Sequence, residues 1–375
     1  MNNGVTLKNN KGSGVSMANG TFTMNGGEIS GNKAADGGGV YMEGNSRFEM
    51  KGGEISGNKA TSDDGGGGGV FMNGGEFAMN NGEISGNIAT HSNGGGGGVF
   101  MTSGKFAMTG GETSGNKAPF GGGVCMTGGI FTMTGGKISN NLETTSGGGV
   151  YMEGGEFTMN SREISGNTAN NGGGVYMIGD NSKFTMNGGE ISGNKTANGG
   201  GGGGVRMAGG TFTMNGGAIS GNNEATYGGG VNMKGNSVFM LSNGEIGGGN
   251  TAANGGGVFM EGGAFAMTDG AISENIATHS SEGGGGVFMK GNSVFTMDNG
   301  EISGNRATEG NGGGVFMNSG IFRRDINKAK INNNWAKLRG GAVYMLGSAI
   351  FDPPTDDGFN GNDTESGEGI GVDSN

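Results

Sequence analysis

Two histidines, His91 and His279, lie in the same word, Ala-Thr-His-Ser. Matching imidazoles could share a metal or a proton relay. They belong to repeats seven apart, however, on the order of 34 Å at one strand spacing per repeat, so neither chemistry is available to them as a pair. Glycosidic cleavage needs acid and base carboxylates held a few ångströms apart. Asp36, Asp63, Asp64, Asp180, Asp269, Asp298 and Asp325 fall in different registers of the repeat and form no such pair. Glu28, Glu54, Glu83, Glu112, Glu163, Glu190, Glu245 and Glu301 do share a register. A stacked carboxylate column suits a divalent cation or a basic partner. It equally suits a solvated charged face, offset in part by Lys33, Lys59, Lys117, Lys195 and Arg306. No GGxGxDx calcium word occurs, and one cysteine, Cys125, makes neither a disulfide framework nor a cysteine zinc site. These residues assign no catalytic role, no cofactor and no metal.

A different chemistry is suggested by the residue between Val and Met in a word that occurs thirteen times. It is aromatic at Tyr41, Phe71, Phe100, Tyr151, Tyr176, Phe259, Phe288, Phe316 and Tyr344. Alternation places it opposite the inward Val and Met, so the rings would form an outward ribbon able to bind sugars, a protein or a second copy. The competing reading is that flanking loops cover the column, or that its stacking only stabilises the sheet.

The elements that would carry these residues follow from the repeat. One unit reads Val40-Tyr41-Met42, then Phe48-Glu49-Met50, then Glu54-Ile55-Ser56-Gly57-Asn58. Each word puts its apolar residues on one face of an extended segment, and Gly and Asn separate the words as turn residues do. Strands this short bury their apolar face only by stacking on the next unit. The expected fold is all-β: a right-handed, single-stranded parallel β-helix with three short strands per coil and about thirteen coils. Val, Met, Phe, Met and Ile point inward, at roughly 1.5–3 kcal/mol for each buried side chain. An Asn column (Asn32, Asn58, Asn87, Asn116, Asn141, Asn167, Asn194, Asn222, Asn275, Asn305) reads as a structural amide ladder. The connection from Asn to the next Val varies in length and carries Gly65–Gly69, Gly94–Gly98 and Gly199–Gly204, the signature of surface loops.

The repeat domain is expected over residues 1–351, with an atypical last unit where Arg324 replaces an inward Met. Residues 352–375 hold seven acids and no Lys or Arg, which reads as an acidic disordered tail or linker. A net charge of -11 opposes nucleic-acid binding. No apolar run is long enough for a transmembrane helix, and the N-terminal residues lack the apolar core of an export signal.

Gly-Gly-x-Val followed by Ile-x-x-Asn resembles the repeats of the chlamydial polymorphic outer-membrane proteins, which carry GGA with an aliphatic residue, and FxxN. Gly340-Gly341-Ala342-Val343 matches the first word outright, and Ile55-Ser56-Gly57-Asn58 has the second with Ile for Phe. The resemblance implies an autotransporter-like passenger, extracellular or on the bacterial outer membrane. Such a passenger would be adhesive or architectural, meeting a host or neighbouring-cell surface protein or glycan, or associating with itself. The alternative is a carbohydrate-active β-helix enzyme, a polysaccharide lyase or glycosidase.

Overall fold

A computed structural model describes residues 1–63, 65–142, 144–352, 359–365 and 370–373. All regular structure among them is β, and the strands pair in parallel as a solenoid of about thirteen turns. The chain falls into two compact units, Met1–Thr185 and Met186–Asn375.

Within each unit the words align coil on coil without slipping. Val40, Tyr41 and Met42 lie against Val70, Phe71 and Met72, and Phe48 lies against Phe77. Glu54-Ile55-Ser56 pairs with Glu83-Ile84-Ser85. In unit 2, Val258, Phe259 and Met260 face Val287, Phe288 and Met289 in the same way. The first two words fuse into single strands at Val40–Met50, Val70–Met79 and Val99–Met108, and again at Val231–Leu241 and Val258–Met267. Most coils also gain a short fourth strand after the ladder Asn, such as Lys59–Ala60 or Arg306–Ala307, beyond the three expected.

The expected inward columns are the core. Val40, Met42, Phe48, Met50 and Ile55 are fully buried, as are their equivalents through the middle coils, while Val15, Phe22 and Met345 in the end coils are half-buried. The Phe rings stack face to face, with centroids 4.7 Å apart from Phe77 to Phe106 and 4.6 Å from Phe265 to Phe295. Strand spacing and ring stacking have nearly the same period, so one column satisfies both.

The Asn column closes the polar side of the core. Asn58 Nδ2 donates to Asn87 Oδ1 at 3.0 Å and to the Ile29 carbonyl at 2.8 Å, while the Asn58 backbone N–H donates to the same Asn87 Oδ1. Asn275 repeats this pattern on Asn305 and Ile246. Asn10, Asn250, Asn334 and Asn362 also belong to the ladder and were not expected there. Two glycines show why the words are spelled as they are. Gly57 has φ +61, the left-handed turn that aims Asn58 inward. A Cβ on Gly39 would lie 2.7 Å from Ile55 Cγ2 and 3.1 Å from Asn58 Nδ2, so the residue before Val must stay small for the ladder to close.

The boundary at residue 351 is crossed. Asn362 accepts from Asn334, and Asp363–Thr364 pairs with Trp335–Ala336, so residues 359–365 add to the stack. The coil that draws in these acidic residues lacks the Val-x-Met and Phe-x-Met words, so the sequence does not mark it as part of the repeat. Residues 353–358, 366–369, 374 and 375 of that expected tail lie outside the described residues. Arg324, in an inward Met position, is buried with its guanidinium 4.4 Å from the Phe359 ring centroid, a cation–π contact.

Candidate functional site

The aromatic column is where the sequence placed its candidate binding surface, and the structure revises it. Phe259, Phe288, Phe316 and Tyr344 form a buried cluster with Tyr227 packed against it. Phe71, Phe100, Tyr151 and Tyr176 are buried as well. Only Tyr41 remains partly open. The rings do point away from the main core, but the chain between the fourth strand and the next Val folds back over them. Gly66 bridges Gly95, Gly95 bridges Phe120, and Phe120 bridges Ser146, giving this returning chain its own parallel register. The column is therefore the middle of a second, lateral core and not an exposed ribbon. Tyr151 and Tyr176 meet edge to face at 5.6 Å instead of stacking at the strand spacing. Replacing both with Ser, harmless if the rings were exposed, would open this lateral core.

The lateral core shows a rule of size exchange. The returning chain contributes the residue four positions before Val, and where the strand offers a ring that residue is never itself aromatic. Gly66 accompanies Phe71, Gly95 accompanies Phe100, and Gly283 accompanies Phe288. At two of the four words whose strand offers no ring, the returning chain supplies one, while Gly201 accompanies Arg206 and Lys11 accompanies Ser16. Phe120 accompanies Cys125 and packs on Tyr151 at 5.0 Å. Tyr227 accompanies Asn232 and packs on Phe259 at 4.7 Å. Neither Phe120 nor Tyr227 stood out in the sequence. The signal that finds them is an aromatic residue four positions before a Val word that lacks one. Cys125 is enclosed here: a Cβ on Gly95 would lie 2.4 Å from its Sγ, and burial pushes its thiol pKa well up, so it is held as an inert thiol.

At the N-terminal coil of unit 1 the lateral core opens. Ser16 takes the place of the ring, and Lys11 stands four residues before Val15. One face of Tyr41 stacks on Phe71 at 5.3 Å and 10°. Tyr41 also lines a recess of about 610 Å³ with Lys11, Gly12, Ser13, Lys33, Ala34, Ala35, Asp36 and Thr61. Asp36 Oδ1 accepts from the Gly66 N–H at 3.0 Å, and burial raises its carboxyl pKa above the ordinary value despite that hydrogen bond. Tyr41 donates its hydroxyl to Glu43 Oε2 at 3.1 Å, and burial together with that carboxylate raises the phenol pKa.

The remaining candidates are held separately. His91 Nδ1 meets Asp63 Oδ1 at 2.5 Å on an exposed loop, while His279 Nδ1 accepts from the Ser281 and Glu282 N–H groups. The glutamate column is in register from Glu28 to Glu112. Its carboxylates find serine hydroxyls on the following coil, Ser114 on Glu83 and Ser139 on Glu112, and Lys137 pairs with Glu163 at 3.2 Å. Among the described residues no three His, Cys, Asp or Glu side chains are placed to hold a metal, and no helix is long and apolar enough to cross a membrane. Asp64 lies outside the described residues.

Comparison with protein-family models, with curated proteins and with solved structures gave no match to this chain.

Proposed function

We propose that this chain is a display scaffold: a surface-exposed or secreted β-helical passenger with a binding or architectural role toward a host or neighbouring-cell surface protein or glycan. One observation carries the reading. The inward and ladder positions keep their residue types coil after coil, while outward positions in strict register change freely, as in Arg47, Glu76 and Lys105 on successive coils. Such a backbone separates folding from recognition, so surface chemistry can vary without disturbing the stack. The GGA-like and FxxN-like words support the same reading by resemblance and favour the outer membrane or exterior as the location.

A glycan and surface-protein array, run beside a polysaccharide-degradation screen on the same preparation, tests the proposal. Saturable binding without turnover is expected. Turnover abolished by a single carboxylate substitution would replace the scaffold with a carbohydrate-active enzyme.

A further inference from the structure

The lateral core of unit 1 contains one register position that no ring of its own coil fills. At Cys125 the gap is closed by Phe120 from the returning chain, and in unit 2 the gap at Asn232 is closed by Tyr227 in the equivalent place. At Ser16 the equivalent residue is Lys11, and the recess beside Tyr41 occupies the place where the next ring of the column would lie. We infer that this recess is a binding site for a flat aromatic ring carrying an anionic group, an aromatic carboxylate, seated on the open side of Tyr41.

Four features define the ligand. Tyr41 already presents one face to Phe71 at 5.3 Å, so a second ring on its free side continues a column whose neighbours elsewhere sit 4.7–5.6 Å apart. Ala34 and Ala35 give the recess apolar wall. Its rim carries Lys11 and Lys33, neither of which forms an ion pair with any described residue, and both are exposed where they can meet a carboxylate. Asp36, fixed by the Gly66 N–H, offers an acceptor to a ring hydroxyl. A saturated sugar ring would meet the same walls but would not reproduce the ring-on-ring contact that Phe120 and Tyr227 make. The inference concerns a small-molecule site and does not depend on the display reading.

The test uses the full chain and 4-hydroxybenzoate, followed by saturation-transfer NMR on its ring protons, with phenol and methyl glucoside as comparison probes. Saturable transfer to 4-hydroxybenzoate is expected. Lys11→Phe, which seats the chain's own ring as Phe120 and Tyr227 do, should weaken that binding by about tenfold or more and raise the thermal midpoint. Ser16→Phe fills the same register from the strand side and should act alike, so a folding defect in one variant leaves the other as the test. Replacing Lys11 and Lys33 together with Ala should weaken 4-hydroxybenzoate by about threefold and leave phenol unchanged. Absence of saturation transfer, undiminished binding in both ring-filling variants, or preference for methyl glucoside over both aromatic probes would overturn the proposal.

Discussion

The residue just before the inward Phe occupies the same place in both units, and its chemistry differs between them. In unit 1 the column runs Thr21, Arg47, Glu76, Lys105, Ile130, Glu156 on paired strands, with Lys183 following. Charges alternate, and Arg47 meets Glu76 at 2.8 Å while Lys183 meets Glu156 at 3.0 Å. In unit 2 the column runs Thr211, Val238, Ala264, Val294, Ile321, Ile350 with no charge at all. Two shallow recesses flank it, of about 560 and 500 Å³, sharing Asn292 and Val294. Ile350 is 53% exposed, and Val238, Val294 and Ile321 are half-buried. One backbone thus carries a salt-bridge ladder on one unit and an aliphatic stripe on the other. Outward chemistry is free because the stack is held by what lies inside it.

If that separation holds, the inner columns should respond alike in the two units. Phe157→Ala in unit 1 and Phe265→Ala in unit 2 each remove a fully buried ring from a stack. Each should cost about 3–5 kcal/mol, read from urea unfolding of the variants. A cost below ~1 kcal/mol in one unit would show that its Phe column is not core, and the comparison would fail.

The outer columns should part company in salt. A double-mutant cycle on Arg47 and Glu76, both about half exposed, should give no more than about 1 kcal/mol of coupling and lose most of it in 1 M salt, where the screening length is about 3 Å. The cycle on Val294 and Ile321 should keep its small coupling across the same range. Coupling of Arg47 with Glu76 that survives high salt would mean that the ladder is not the solvated pair its exposure indicates.

The smallest effect is in acid. In unit 1 the Ser165 hydroxyl, followed by Lys137, lowers the Glu163 pKa, and in unit 2 Lys234 and Lys290 lower that of Glu261. Both carboxylates add stability that is complete above the ordinary value of 4.5 and is lost as pH falls below it through the folded value. Asp36 has the opposite sign. Its folded pKa is raised, so ionisation opposes folding at neutral pH, and stability is gained as pH falls through that value toward 3.8. Melting curves between pH 7 and pH 3 should therefore show Glu261→Gln reducing the acid loss. Asp36→Asn should stabilise at neutral pH and not at the acid end. Destabilisation by Asp36→Asn at neutral pH would show that the Gly66 hydrogen bond outweighs burial.

Much of this was written in the residue order. The alternation in Val-x-Met, Phe-x-Met and Glu-Ile-Ser determined which side chains face the core, because a strand has a period of two and a parallel stack places identical words on one another. The Asn ladder was legible for the same reason through the middle coils; Asn10, Asn334 and Asn362 extend it into end coils with altered words, and at Asn250 Gly247-Gly248-Gly249 lengthens the turn and moves the amide out of its expected spacing. What alternation cannot decide is exposure. It assigns Tyr151 or Phe288 to the outer side of a strand, but whether water reaches that side depends on the path of the chain returning from Asn to Val. That path is set by contacts between coils, Gly95 with Phe120 or Phe120 with Ser146, whose partners are distant in sequence. Only the tertiary structure therefore turned the aromatic column from a surface into a second core, and left Tyr41, beside Ser16 and Lys11, as the place where that core stays open.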